Sequence, residues 1–444
     1  MGEINNEETT SHRPRVLLLA AACNPYKGSD SAVGWGRAVE TAKRFDTWVI
    51  CRLRDQEDIA RYLDEHGEIP GLHFCFLKRN WLEEFLMRRR PLYDIDYLSY
   101  NLWHRRAFDF AIHLHRKLKF DLIHQVTRTG FREPGYLWKL DAPFIWGPVG
   151  GTQNYPLRFL KAAGVLGGLK EGLRSIINVL QFRYSPRVRK ALKKATVVVA
   201  ANTEIQLDFE RVHGIKPLVL LDIGVHIVEA APADKYLQKI PLRILWLGQL
   251  QNHKALHLLI LALAPKHAGF NYEVKVLGDG PLKKRWQALT KRLGIEAYFQ
   301  WPGWIPHELA MKEYEWADVL VFCSLRDTTS NVVLESLSRG VPIICLDHQG
   351  VRDVVTEDCG IKIKVTTPGE VIAQLRNHLV DLAANKGKLE SLSRGALKRA
   401  SQYLWSRNGE RMARIYSGAL QTHQANRSKE ASLCNVERRT QGKR

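Results

Sequence analysis

The feature that most constrains this chain is an alternation that runs through it twice. Uninterrupted apolar stretches recur as RVLLLAAAC (15–23), TWVICRL (47–53), LHFCFL (72–77), FDLIHQV (120–126), APFIWGPV (142–149), TVVVAAN (196–202) and PLVLLDIG (217–224). Runs of this kind suit strands covered on both faces. Helical patterns such as AVETAKRF and YNLWHRRAFDFAIHLHRKL lie between them. Strands alternating with helices build a parallel, doubly wound sheet. The alternation lapses over the polar, proline-bearing residues 226–240, then restarts with LRILWLG (242–248), YEVKVLGDGP (272–281), YFQWPGW (298–304), ADVLVFCSL (317–325), VPIICLD (341–347) and GIKIKV (360–365). The fold class expected is therefore α/β: two Rossmann-like, doubly wound parallel-sheet domains facing a cleft. We expect a disordered head (1–13), an N-terminal domain (14–225), a linker (226–240), a second domain (241–400), a closing helix (401–420) and a basic disordered tail (421–444). Ligands of such sheets bind in the crevice at the carboxyl ends of the strands.

The 444 residues suffice for two cores, and 66 Lys+Arg against 46 Asp+Glu give a net charge of +20. That balance favours anionic partners: nucleotide phosphates, nucleic acid or an acidic membrane face. The seven cysteines are scattered, mostly inside apolar runs and without a CxxC pair, which fits reduced, buried thiols and argues against zinc. The start, MGEINNEETTSHRP, has neither the basic nor the apolar region of a signal peptide, and no stretch approaches the ~20 apolar residues of a membrane span. The location expected is cytoplasmic, with peripheral attachment to the inner membrane face as an option.

The most informative segment is RDTTSNVVLESLSRG, residues 326–340. It follows a strand, so Arg326 to Ser330 form the loop at that strand's carboxyl end, and NVVLESLS starts a helix that Gly340 stops. The free N–H groups at the start of such a helix seat a phosphate. Asp327 lies just before the helix and Glu335 just over one turn inside it. Carboxylates beside a phosphate need donors, and sugar hydroxyls supply them: one acid for a ribose diol, the other for a hexose, with a diphosphate between. Two further strand ends agree. Lys254 stands six residues beyond Gly248, where an ammonium can neutralise a departing diphosphate. GDGP (278–281) is a tight turn whose Gly278 and Gly280 let a ligand approach the backbone.

These segments, GQLQNHKA, GDGP and DTTSNVVLESLSRGVP, resemble the donor-binding half of the retaining family-4, or group 1, glycosyltransferases of the GT-B fold. The resemblance covers residues 240–360. It implies that Glu335 holds the ribose, Asp327 the transferred sugar, Lys254 the diphosphate, and the backbone near Asn331 and Val332 the phosphate and sugar, with Ser330 among the donor-binding residues. It also implies a nucleotide-sugar substrate; a basic cleft without paired acids leads us to expect no metal and no cofactor. Two positions depart from the family pattern: Gln249 stands where arginine is usual, and Asp327 replaces the commoner glutamate. Arg326 is the candidate to restore the missing charge.

In the first half, NPYKGSDSAVGWGRAVE (24–40) lacks the spacing of a dinucleotide fingerprint. By the same resemblance its loop, with Gly28, Ser29 and Asp30, positions the acceptor, and His124, at the end of a strand, is the catalytic histidine candidate although Val126 replaces the second histidine of the family pair. Gly150 and Gly151 belong to the cleft wall. YDIDY (93–97) spaces Asp94 and Asp96 as some metal sites do, but among helix-like residues, so no metal is expected. Residues 151–200 carry ten Lys+Arg and a single acid, Glu171. Within them Leu166, Leu169, Leu173, Ile176, Ile177 and Leu180 share one helical face, the pattern of a helix resting on an anionic membrane where a lipid-linked acceptor resides. The other basic patch is MRRRP (87–91). The reading is a retaining hexosyltransferase of polysaccharide assembly, acting on a sugar or lipid-linked acceptor. Two rivals are a GT-B nucleotide-sugar epimerase, which needs no acceptor, and a non-catalytic basic module for membrane or nucleic acid. Nucleic acid explains the charge but not the strand-end groups.

Overall fold

The computed structural model describes residues 13–88, 93–229, 235, 241–264 and 269–441, without the side chains of 87–97 and 429–441. The basic patch at 87–91, the side chains of Asp94 and Asp96, and most of the expected linker therefore lie outside the described residues.

Each apolar run becomes a strand. In the first half these are β1 (Arg15–Ala20), β2 (Asp46–Arg52), β3 (Leu72–Leu77), β4 (Leu122–Thr127), β5 (Phe144–Val149), β6 (Val197–Ala200) and β7 (Leu218–Val219). They form one sheet in the order β3-β2-β1-β4-β5-β6-β7, parallel throughout. The second half gives β8 (Leu242–Leu247), β9 (Tyr272–Leu277), β10 (Phe299–Gly303), β11 (Val319–Phe322), β12 (Ile343–Leu346) and β13 (Gly360–Ile363). Their order is β10-β9-β8-β11-β12-β13, again parallel. Two-sided burial explains the apolar runs: along β1, Val16, Leu18 and Ala20 enter one layer of core, and Leu17 and Leu19 the opposite one.

In each sheet the winding direction reverses once, between β1 and β4 and between β8 and β11. Loops at the carboxyl ends of those strand pairs splay apart and leave a crevice. Residues after β8 and β11 include Lys254 and Asp327; residues after β1 and β4 include Asp30 and Arg128. The two switch points meet across the interdomain cleft, which is what brings distant sequence segments to one site.

The last helix, Trp405–Gln441, returns to the first domain. A Cβ on Gly36 would lie 2.4 Å from the Trp405 ring, so only glycine allows this helix to pack so closely. Arg37 Nη2 donates to Asn408 Oδ1 at 2.7 Å, and Phe45 and Tyr416 meet edge to face. The expected disordered tail is corrected here: the helix runs past residue 420 to Gln441. Residues 421–441 contain neither proline nor glycine and are rich in Gln, Glu, Ala, Lys and Arg, so helical propensity outweighs the charge that suggested disorder. Among the described residues no helix is long and apolar enough to cross a membrane.

Candidate functional site

Lys254 ends a short turn, Asn252–Lys254, that follows β8, and its Nζ lies 2.5 Å from Asp327 Oδ2 in the loop after β11. Neighbouring parallel strands fix this pairing, since β8 and β11 are adjacent at the switch point. The ammonium and the carboxylate keep only 17% and 23% of their side-chain surface in solvent. Each is thus neutralised by the other until a ligand competes. Asp327 is held from two further sides: its N–H donates to Gln349 Oε1 at 2.5 Å, and its Oδ1 accepts from the Thr328 N–H at 3.1 Å.

The helix expected after this loop is present as Asn331–Ser338, and Ser330 at its start makes no capping bond with its side chain. Its first N–H groups are therefore open to an anion. Glu335 lies one turn in, with Oε1 3.0 Å from His307 Nε2 and Oε2 accepting from the Tyr314 hydroxyl at 3.1 Å. That carboxylate raises the His307 pKa, burial opposing it. Glu335 and Asn331 line a cavity of about 250 Å³ whose opposite wall is Tyr26, Lys27 and Gly28 of the first domain. The cavity reaches from the helix tip to the loop after β1, as a ligand spanning both domains requires.

Several expectations change. Gly278 and Gly280 serve loop packing: a Cβ on Gly278 would meet the Gly248 carbonyl oxygen at 2.0 Å, and one on Gly280 the Leu250 backbone at 2.7 Å. Gln249 is exposed and accepts from Gln251 Nε2 at 3.0 Å, so this position supplies no cation. Arg326 does not stand as a replacement facing only ligand; its Nη2 reaches Glu171 Oε2 of the first domain at 3.4 Å. Burial holds His253 far below the usual histidine range, and the charges of Arg326, Lys254 and Arg174 around it add to that. His124 is corrected outright. It is fully buried, its Nδ1 lies 2.6 Å from the Tyr416 hydroxyl and its Nε2 2.5 Å from the Gly147 carbonyl. Burial, reinforced by the Arg37 charge, pushes its pKa down to about 3, so both ring nitrogens are committed and it anchors the last helix.

The first-domain loops lie close to those of the second domain. A Cβ on Gly28 would sit 3.9 Å from Asn331 Nδ2, which puts the loop at Gly28 beside the tip of the Asn331–Ser338 helix. A Cβ on Gly150 would strike the Thr328 side chain at 2.6 Å, so the glycine admits the Asp327 loop. Gly151, at φ +87, turns the chain just beyond it.

Sequence reasoning missed four groups. Gln349 grips the Asp327 loop while its own N–H donates to Glu204 Oε2 of the first domain at 2.8 Å. Asn202 Nδ2 donates to the Thr328 carbonyl at 2.8 Å. Tyr314 orients Glu335 from inside the core. Asp222, 5% exposed, is the fourth: burial, with Asp30 adding and Asp327 contributing less, pushes its carboxyl up to about 7. A carboxyl near neutrality beside two others marks the cleft as a place where protons can move. The signal that could have found it is the acid in LLDIG at the end of an apolar run.

Known proteins are similar to this chain in sequence and in fold. Residues 229–398 match the family described as Glycosyl transferases group 1. The putative colanic acid biosynthesis glycosyltransferase WcaL of Escherichia coli is 22% identical over 226 residues, 48% of this chain and 54% of that protein. The chain thus spans about half the length of this curated relative. Among solved structures, sucrose-phosphate synthase from Thermosynechococcus elongatus is similar with a TM-score of 0.63 at 15% identity, over 92% of this chain and 100% of that one. HepE from Anabaena, in complex with UDP, is similar with a TM-score of 0.59 at 17% identity, over 91% and 100% of the two chains. The two parallel sheets and these neighbours give the chain a GT-B fold.

Proposed function

We propose that this protein transfers a sugar from a nucleotide-sugar donor to a sugar or lipid-linked acceptor, with retention of anomeric configuration and without a metal, in polysaccharide assembly. The observation that carries the reading is the Lys254–Asp327 pair, set at the β8/β11 switch point directly before the uncapped helix tip at Asn331. A donor diphosphate over that tip draws the ammonium from Asp327, which frees the carboxylate for sugar hydroxyls. Glu335 then accepts from a ribose diol, oriented by Tyr314 and His307. The bond from the anomeric carbon to the diphosphate breaks while a new one forms to the acceptor oxygen on the same face, and the departing phosphate oxygen takes the acceptor's proton. Lys254 and the helix N–H groups stabilise the charge that develops. Because the structural relative HepE holds UDP, uridine donors are tested first. In a thermal-shift panel of nucleotide sugars, one UDP-sugar raises the melting temperature, and its product keeps the donor's anomeric configuration by NMR. No shift with any nucleotide sugar sinks the reading; an inverted product sinks retention alone.

The partner surface belongs to the same proposal. The helix Val165–Tyr184 turns Gly168, Glu171, Ser175, Asn178 and Phe182 inward and leaves its apolar row outside. Leu166 is 84% exposed, Leu169 68%, Leu173 61% and Ile176 60%, with Leu180 also exposed and Ile177 half-buried. Lys161, Lys170, Arg183, Arg189 and Lys190 flank this row and are exposed. Apolar side chains at i, i+3 and i+7 with basic neighbours suit the interface of an anionic bilayer. The location proposed is accordingly the inner face of the cytoplasmic membrane, peripherally held. The protein is expected to sediment with phosphatidylglycerol vesicles at low salt. Since burying a leucine is worth roughly 1.5–3 kcal/mol, Leu169→Glu with Leu173→Glu is expected to release it. A wild-type protein left in the supernatant would reject the surface.

A further inference from the structure

The course of the Asp327 loop is set by a side chain from the next strand end. Gln349 begins the short helix Gln349–Val354 after β12, and its amide pairs with the loop after β11 much as a neighbouring strand would. Nε2 donates to the Leu325 carbonyl at 3.2 Å, and Oε1 accepts from the Asp327 N–H at 2.5 Å. The two bonds fall on alternate residues, so they fix the loop through Arg326 and with it the direction of the Asp327 carboxylate toward Lys254. Gln349 is 4% exposed, which leaves little room for water to take over either bond.

Gln349 occupies this position under strain. Its φ of +55 is one that a residue with a Cβ seldom adopts, and such backbone persists where surrounding contacts over-determine it. At the next residue, Gly350, a Cβ would lie 2.0 Å from the Thr328 carbonyl oxygen, so the two loops meet backbone to backbone. The bond that holds the Gln349 backbone comes from the other domain: its N–H donates to Glu204 Oε2 at 2.8 Å. Glu204 lies in the first turn of the helix Thr203–His213, and its neighbours bind the same two loops. Asn202 Nδ2 donates to the Thr328 carbonyl at 2.8 Å, while its Oδ1 caps the helix by accepting from the Ile205 N–H at 2.9 Å. The Thr203 N–H and hydroxyl donate to the two carboxylate oxygens of Asp353 at 2.7 and 2.6 Å. Consecutive residues of the first domain thus grip the loops after β11 and β12, and the bond made by Glu204 continues through Gln349 to Asp327.

We infer that Gln349 is a positioning residue for Asp327, and that it holds Asp327 in place only while residues 202–204 of the first domain are docked on it. Separating the domains removes Glu204, lets the strained backbone of Gln349 relax and releases the Asp327 loop; closing them resets it. Asp327 is therefore ready for a sugar only in the closed molecule, which limits loss of that sugar to water. The sugar rests on the transferase reading; the coupling of Glu204 to Asp327 does not, so the two can fail separately.

Hydrogen exchange of the free full-length protein, followed by mass spectrometry on peptides covering residues 325–328, tests the coupling without a ligand. Gln349→Gly removes the amide and suits the left-handed backbone, so the fold is expected to survive while exchange in these peptides rises roughly tenfold or more. Glu204→Ala is expected to raise exchange in the same peptides, although its bond is to Gln349 and not to them. Glu204→Gln, which keeps an oxygen for the Gln349 N–H, is expected to retain the protection. Melting temperatures check folding; should Gln349→Gly not fold, Gln349→Asn, whose amide is one methylene short of both partners, takes its place. With a nucleotide sugar that shifts the wild-type melting temperature as substrate, Gln349→Gly and Glu204→Ala are each expected to lower kcat roughly tenfold. Calorimetric affinity for the parent nucleoside diphosphate is expected to stay unchanged, a split that general loosening of the structure would not give. Unaltered exchange in Gln349→Gly, or nucleoside diphosphate affinity lost in step with kcat, overturns the positioning role. Unaltered exchange in Glu204→Ala overturns the coupling across the cleft. If exchange responds as expected but no nucleotide sugar binds the wild type, the transferase reading falls and the coupling stands.

Discussion

Lys254→Gln is expected to lower kcat by 10²- to 10³-fold, the range seen when one preorganised stabiliser of a developing oxyanion is removed. The ammonium sits 2.5 Å from Asp327, and among the described residues no second carboxylate pairs with it. In the resting protein it neutralises Asp327; in the proposed transfer its task is to neutralise the leaving diphosphate. Glutamine keeps length and hydrogen bonding but loses the charge, so the loss falls mainly on kcat, with a smaller rise in KM. Asp327→Asn acts on the same unit, and the double variant should fall far short of the product of the two single losses, because the groups share one interaction. Steady-state kinetics on the four proteins checks this. Full multiplicativity of the two effects would show that the pair does not act together, and an undiminished kcat in Lys254→Gln would remove it from the chemistry.

Most of the fold was legible because burial on both faces writes an uninterrupted apolar run in the inner strands, and the runs at the sheet edges, β3 and β7, became strands too although they are only partly covered. The helix tip at Asn331 was legible too, since Ser330 and Asn331 follow a strand and Gly340, at φ +65, turns the chain after the helix. What could not be read were relations across the cleft. His124 sits at the end of an apolar run in both a catalytic and a structural account; only the last helix, 292 residues away in sequence, supplies the Tyr416 hydroxyl that decides between them. Gly278 and Gly280 carry a turn signal for a ligand and for a neighbouring loop alike, and the loop is Gly248–Leu250. Gln349 leaves no periodic trace because its role depends on an unusual backbone, φ +55, that aims its amide at the Asp327 loop. The direction in which the helix Val165–Tyr184 faces was equally hidden: an amphipathic pattern defines a face, and only the packed partner tells which side is inward. Here the small and polar side, with Gly168 against the Leu160 carbonyl, is the buried one.

Asp222→Asn is expected to stabilise the protein, and by an amount that depends on pH. The carboxyl is 5% exposed, its Oδ1 has no hydrogen-bond partner, and burial together with Asp30 raises its pKa from an unfolded value near 3.8 to about 7. A carboxyl raised on folding favours the native state fully below its unfolded pKa. That contribution is lost as pH climbs through the interval up to the folded pKa, because the native protein must give up a proton it holds more tightly than the unfolded chain does. The span of about three pKa units corresponds to roughly 4 kcal/mol as an upper bound. Asparagine resembles the protonated acid and cannot ionise. Wild type and variant should therefore unfold alike near pH 4, diverge from there to pH 7, and keep a constant gap above it. Denaturant unfolding at pH 4, 6 and 8 measures this, and parallel curves at all three would show that Asp222 ionises at an ordinary pH. The same titration bears on the cleft. If the Asp222 proton matters to the ligand held between Asp30 and Asp327, the kcat/KM profile of the wild type has an inflection near pH 7 that Asp222→Asn lacks.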